Sequence, residues 1–195
     1  MTTDKTTEIT AEILRLKKEK DFLVLAHLYE DLSVQKIADF CGDSFELAKR
    51  AKASGAGNIL FCGVRFMGES TKILCPEKHV YLPRPDAGCA MADMVNAADI
   101  RALKKAYPNA AAVCYINSSA ETKAVCDVCV TSSNALGIVR SLAEKEIIFV
   151  PDKNLGAYIA AHVPEKKFIL HNGYCPVHEH ITTDMVQAAR NAHPN

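Results

Sequence analysis

Pro85-Asp86-Ala87-Gly88-Cys89-Ala90-Met91 holds one cysteine between small residues, just past an apolar run. It is echoed at Gly173-Tyr174-Cys175-Pro176-Val177-His178, where the cysteine lies 86 residues further on. If the two cysteines play one part, the sequence between them should repeat the sequence before Cys89. It does. At an offset of 88, Asp39 and Cys41 align with Asp127 and Cys129, and Ser44 with Ser132. Ile59-Leu60-Phe61 aligns with Ile147-Ile148-Phe149, and Gly68 with Gly156. At 87, Leu16-Lys17-Lys18 aligns with Leu103-Lys104-Lys105. At 86, Ala106-Tyr107-Pro108-Asn109 aligns with Ala192-His193-Pro194-Asn195. Chance gives two or three such matches; this many in one narrow register favours an internal duplication.

Working outward, short apolar runs at 22–26, 58–62 and 79–82 read as strands, with helical periodicity between them. The order recurs at 111–115, 147–150 and 168–170. Alternating strands and helices imply parallel sheets covered on both faces. The expected fold class is α/β: two repeated three-layer αβα units with short parallel sheets, each of three strands. Residues 1–89 form the first repeat and 90–175 the second. Residues 176–195 read as the lead-in helix to a third repeat absent from this sequence. Ser33 is placed as the cap of a short helix, and 92–106 as one continuous helix.

Hydrophobic residues make up 49% of the 195, without a long uncharged apolar run, so a soluble globular chain is expected and a membrane span is not. Lys and Arg together equal Asp and Glu at 23 each, with no basic stripe, which argues against nucleic acid. The start, Met1-Thr2-Thr3-Asp4-Lys5, shows no apolar signal segment. Eight cysteines without such a signal point to thiols in a reducing compartment, the cytoplasm, where metals can reach them. Six of the eight read as small buried hydrophobes.

In parallel sheets, ligands bind beyond the carboxyl ends of the strands. His27 and Tyr29 follow the first strand, Tyr115 and Asn117 the first strand of the second repeat, and Cys89 and Cys175 the last strand of each. Ser44 and Ser132 read as standing at helix starts, where a hydroxyl beside free N–H groups suits a phosphate or carboxylate. Plain N-capping explains them equally. Cys126-Asp127-Val128-Cys129 has the CxxC spacing of zinc ribbons and redox pairs, but no second pair exists, so it reads as structural. His178-Glu179-His180 reads as a loop, with His178 facing the site and His180 on the surface. Lys72, Glu121 and Lys123 fit solvated helix faces. Cys89 and Cys175 carry the sharper reading, one thiolate per repeat for a metal or cluster. Iron–sulfur clusters take three or four thiolates, so a third repeat would complete the set.

These residues resemble quinolinate synthase, the iron–sulfur enzyme family of de novo NAD synthesis. The resemblance runs nearly end to end. It is carried by Ala26-His27-x-Tyr29, Gly42-Asp43-Ser44, Phe61-Cys62-Gly63-Val64-x-Phe66-Met67 and Gly88-Cys89-x-Met91 in the first repeat. In the second it rests on Tyr115-Ile116-Asn117-Ser118, Thr131-Ser132-Ser133-Asn134-Ala135, Pro151-Asp152-x-Asn154-Leu155-Gly156 and Gly173-x-Cys175-x-Val177-His178-Glu179. The resemblance implies three similar domains about a pseudo-threefold axis, each giving one cysteine to a [4Fe–4S] cluster with one open iron. It implies a transferase that condenses iminoaspartate with dihydroxyacetone phosphate. An aspartate oxidase or dehydrogenase would supply the iminoaspartate. Cys89 and Cys175 would then be cluster ligands. His27, Ser44, Tyr115, Asn117 and Ser132 would bind substrate in one cleft, and Tyr29, Tyr115 and His178 would serve catalysis.

The family's third domain, its cysteine and a His-Pro-Glu motif are missing up to Asn195, and no role is carried to His193. The expectation is therefore an incomplete chain, inactive alone. A non-catalytic, two-domain metal- or anion-binding protein is the rival, and a zinc enzyme using Cys89 and Cys175 a third reading.

Overall fold

The run Phe22-Leu23-Val24-Leu25-Ala26-His27 has no charge and alternates its side chains between two covered faces, which suits a central parallel strand. In the computed structural model, which describes residues 3–194, it is strand β1 (Phe22–His27), with Val24, Leu25 and Ala26 all 0% exposed. Met1, Thr2 and Asn195, which enter two of the readings above, lie outside the described residues. The chain divides into two units, Met1–Cys89 and Ala90–Asn195.

The first unit runs α1 (Thr3–Glu19), β1, α2 (Leu32–Gln35), β2 (Phe40–Gly42), α3 (Ser44–Ala53), β3 (Asn58–Cys62), α4 (Arg65–Leu74) and β4 (His79–Tyr81). Its four parallel strands lie in the order β2-β1-β3-β4. The second unit opens with a 3-10 turn (Ala92–Met94) and α5 (Ala97–Ala106). It continues through β5 (Ala110–Tyr115), α6 (Ala120–Lys123), β6 (Val128–Val130), α7 (Ala135–Ser141), β7 (Glu146–Val150), α8 (Lys153–His162) and β8 (Lys167–Leu170). Its sheet has the matching order β6-β5-β7-β8, again all parallel. Two short helices follow, α9 (Pro176–Glu179) and α10 (Thr183–Ala192).

Alternation builds the three layers. In the second unit Ala111, Val113, Ile147 and Phe149 meet Val139 of α7 and Ile159 of α8 on one face. Ala110, Ala112, Cys114, Ile148 and Val150 meet Ile100 of α5 on the other. Phe149 and its counterpart Phe61 are both 0% exposed. Burying such a side chain contributes about 1.5–3 kcal/mol.

The duplication extends to the internal wiring of each unit. Asp39 accepts from the Val24 N–H at 2.8 Å and from Lys17 Nζ at 2.9 Å. Asp127 accepts from the Ala112 N–H at 2.8 Å and from Lys104 Nζ at 2.7 Å. The Lys104–Asp127 pair is nearly half-exposed and worth little, and the Lys17–Asp39 pair is more covered; the N–H bonds fix where the edge strand leaves α2 or α6. A buried lysine recurs as well. Lys78 Nζ reaches the carbonyls of Ala51 and Ser54 at the end of α3, and Lys166 Nζ those of Leu142 and Glu144 past α7. Gly68 of α4 leaves room for Leu82, and Gly156 of α8 for Leu170: a Cβ would stand 2.8 Å and 2.7 Å from those side chains.

Four expectations change. Each sheet has four strands rather than three. The added strands are β2 and β6, edge strands of 3 residues to which the sequence reading assigned no strand. Asp31, not Ser33, caps α2, because its carboxylate accepts from the Ser33 N–H. The helix expected over 92–106 breaks at Val95, and Asn96 starts α5 afresh with a capping box closed by Asp99. The segment read as a loop around His178 is the helical turn α9.

Candidate functional site

Parallel strands all end at one edge of a sheet, so whatever follows them gathers there. His27 is the last residue of β1, in register with Gly42 at the end of β2. Its ring is half-buried. Nδ1 accepts from the Tyr29 N–H at 3.2 Å, which leaves the ring proton on Nε2. The two rings meet edge to face with centroids 4.7 Å apart, while Tyr29 itself is 86% exposed. Burial pushes the His27 pKa below its usual 6.5, outweighing the nearby Glu30 and Asp43 carboxylates that raise it.

That shift has a consequence with a definite sign. Native His27 holds its proton less tightly than the unfolded chain does, so its neutral form is favoured by folding. Stability is unaffected well above pH 6.5 and falls as pH drops below it, because the unfolded state binds the proton first. An NMR titration of the His27 ring should give a midpoint under 6.5. A midpoint at or above that value would contradict a neutral, Nε2-protonated His27 as the resting form.

Ser44 is the first residue of α3, but it does not cap the helix. Asp43 does, accepting from the Phe45 and Glu46 N–H groups at 2.9 and 2.8 Å. An anion at this helix start would compete with a carboxylate already there. Sequence reasoning passed over Asp43, although an Asp-Ser pair before a helix offers either residue as the cap.

Cys89 is part-exposed in the loop after β4. The loop is tied down two residues earlier, where the Ala87 carbonyl accepts from the Arg65 N–H at 2.8 Å, at the start of α4. The second unit repeats the tie. The Gly173 carbonyl, two residues before Cys175, accepts from the Lys153 N–H at 2.7 Å, at the start of α8. Both cysteine loops are thus fastened to the first turn of the helix that follows the third strand of their sheet. Cys175 is part-exposed too and stands at the start of α9. Glu179 of α9 binds back to Lys153 Nζ and Asn154 Nδ2, each at 2.7 Å. His178, on the same turn, is exposed, as is His180.

Tyr115 ends β5, and Asn117 lies in the turn beyond it, which is held by Ser118 Oγ donating to the Tyr115 carbonyl at 2.9 Å. Both are part-exposed. The offset of 88 makes Tyr115 the counterpart of His27, and Asn117 that of Tyr29. Ser132 departs from expectation. It is exposed and lies three residues before α7, in a turn where Asn134 Oδ1 accepts from the Thr131 N–H at 2.7 Å. The polar run Thr131-Ser132-Ser133-Asn134 closes its own hydrogen bonds and delays the helix. Among the described residues, no three His, Cys, Asp or Glu side chains are grouped so as to hold a metal ion. Within its own unit, each of Cys89 and Cys175 offers a single free thiol.

Two αβα units with one wiring, each carrying a tethered, part-exposed cysteine and polar groups at the carboxyl edge of its sheet, define a repeat-built α/β protein. Comparison with known proteins makes this specific. Residues 11–195 match the family described as quinolinate synthetase A protein, and the chain belongs to that family. It is 55% identical over 186 residues to a quinolinate synthase of Clostridium perfringens, covering 95% of this chain and 62% of that protein. It is 50% identical to quinolinate synthase 2 of Methanosarcina acetivorans, over 95% of this chain and 60% of the relative. With the quinolinate synthase of Aquifex aeolicus it shares 46% identity over 100% of its own length and 61% of the relative. The chain therefore spans about three-fifths of the length of these relatives. No helix among the described residues is long and apolar enough to cross a membrane.

Proposed function

We propose that this chain supplies the first two repeats of a cytoplasmic quinolinate synthase. That enzyme would be a transferase condensing iminoaspartate with dihydroxyacetone phosphate for NAD biosynthesis, with an aspartate oxidase or dehydrogenase as the source of iminoaspartate. The observation that carries the reading is the repeated tether, which presents Cys89 and Cys175 alike, in a chain matched to the family almost end to end. Repetition supports a set of matching parts that a third repeat would complete. α10 falls 86 residues after α5 at both ends, and Val186, the counterpart of buried Ile100, is 48% exposed. Residues 176–195 then lead into a third repeat that lies in the remaining length of the relatives.

Two part-exposed thiols suit a [4Fe–4S] cluster as two of three protein ligands, with the third from that further repeat. When bound, such a cluster with one open iron supplies a Lewis acid for an oxygen or carboxylate of the substrate. The chain's own residues do the rest. His27 donates from Nε2 while Tyr29 covers its ring. Asn117 and Ser132 offer neutral donors to anionic groups, and Ser44 does the same beside the Asp43 cap. Tyr29, Tyr115 and His178 can hold or pass protons during ring closure.

The test compares the isolated chain with the chain joined to the portion of the Clostridium perfringens relative it does not cover. Both are reconstituted anaerobically, then assayed for iron, sulfide and quinolinate. The joined protein should hold four irons and make quinolinate; the chain alone should hold fewer and make none. Four irons without product in the joined protein would favour the binding-protein reading. Zinc retained in place of iron would favour the zinc enzyme.

A further inference from the structure

The second unit contains a cluster of thiols that the proposed reaction does not use. Cys114, in β5, is 0% exposed, and its register partner across the strand pair is Cys129 of β6. Neighbouring strands lie about 4.8 Å apart and register partners share a face. Cys126 ends the turn after α6, where its N–H donates to the Lys123 carbonyl at 3.2 Å, and it packs against the same core cluster as Cys114. The Cys114 thiol donates to the Tyr115 carbonyl at 3.4 Å, and the Cys126 and Cys129 thiols both act on its ionisation. Register places Cys129 beside it, and core packing brings Cys126 to the same cluster.

The first unit shows that packing alone does not require this. There the register pair is Ala26 and Cys41, with Ala26 0% exposed. The counterpart of Cys126 is Ala38, whose N–H makes the equivalent bond to the Gln35 carbonyl at 3.2 Å. One backbone thus accepts alanine at two of the three positions. Two sulfurs have been brought to a third only in the second unit.

We propose that Cys114, Cys126 and Cys129 form a redox-active thiol site, in which Cys126 and Cys114 close to a disulfide by exchange with a small-molecule disulfide. Cys126 reaches solvent and attacks one sulfur of the small disulfide. That S–S bond breaks, one small thiolate leaves, and a mixed disulfide forms on Cys126. Cys114 then gives up its proton and displaces the second small thiolate. Two protein thiols are oxidised by two electrons in all, and the small disulfide is reduced to two thiols. Electrostatics supports this order. Cys126, with burial, pushes Cys114 up to about 12. Capping Cys126 as a mixed disulfide removes that thiol's influence on Cys114, which ionises as it attacks. Cys129, although exposed, is pushed well above the usual thiol range chiefly by the neighbouring Cys114 thiol, so it stays protonated and is a poor attacker.

The chain is equilibrated with defined ratios of reduced to oxidised glutathione, quenched with acid, alkylated and mapped by peptide mass. The expected result is one intramolecular disulfide joining Cys114 and Cys126, with Cys129 still alkylated. Cys114→Ala should stop at a mixed disulfide, one glutathione on Cys126. Cys126→Ala should take up no glutathione within the trio, and Cys129→Ala should still form the disulfide. Both alanine changes copy residues the first unit already has, and circular dichroism confirms folding. A trio that stays fully reduced while exposed Cys41 is oxidised would overturn the proposal, as would a disulfide that omits Cys114.

Discussion

Cys89→Ala and Cys175→Ala, each made in the chain joined to the rest of a relative, should lower quinolinate formation by more than about 100-fold. Loss of mere support around a metal ligand already costs 10–100-fold, and loss of a ligand costs more. Iron and sulfide content should fall in parallel. Neither change should cost much stability, because both side chains are part-exposed in loops whose backbone ties lie two residues earlier. Cys41→Ala is the control: Cys41 is exposed on an edge strand and should leave iron and activity unchanged. A full complement of iron in either variant would remove that cysteine from the proposed ligand set.

Gly173→Ala should be the most damaging small substitution in the second unit. A Cβ there would stand 2.5 Å from the Pro151 carbonyl oxygen, a backbone atom that cannot rotate away. Overpacking of this kind costs about 1–3 kcal/mol, and a backbone clash belongs at the upper end. The displaced segment carries the tether to Lys153 and, two residues on, Cys175, so iron binding should weaken with stability. Gly137→Ala gives the contrast. Nothing lies within 4 Å of its Cβ position, and it sits inside α7. There alanine should stabilise by roughly 0.5–1 kcal/mol. Urea denaturation of the two variants against the parent measures both, and equal midpoints for them would refute the steric account.

The duplication was legible because core strands and the cysteine loops tolerate little drift in spacing. The central strands and their polar ends were legible for the same reason. β2 and β6 were not: Phe40-Cys41-Gly42 and Val128-Cys129-Val130 are too short for periodicity to register. They form because Asp39 and Asp127 fix the chain beside β1 and β5. The alignment had paired those aspartates without revealing what they bind. Ser132 was misplaced because a self-bonded turn and a helix start draw on the same residue types. The thiol trio was out of reach, since it depends on a strand register joining Cys114 to Cys129, which chain spacing alone does not specify.

The buried lysines give each unit an electrical direction. Every helix concentrates roughly half a positive charge at its start and half a negative charge at its end. α3 and α4 begin at the carboxyl edge of their sheet, and so do α7 and α8. At the far edge Lys78 sits on the last carbonyls of α3, and Lys166 on those beyond α7, so the negative poles are screened by a fixed cation within the fold. At the near edge the Asp43 and Asp152 carboxylates already meet the positive poles of α3 and α8, whereas those of α4 and α7 have no side-chain cap. An approaching dianion is therefore drawn to the start of α4 in one unit and of α7 in the other, and added salt weakens that pull.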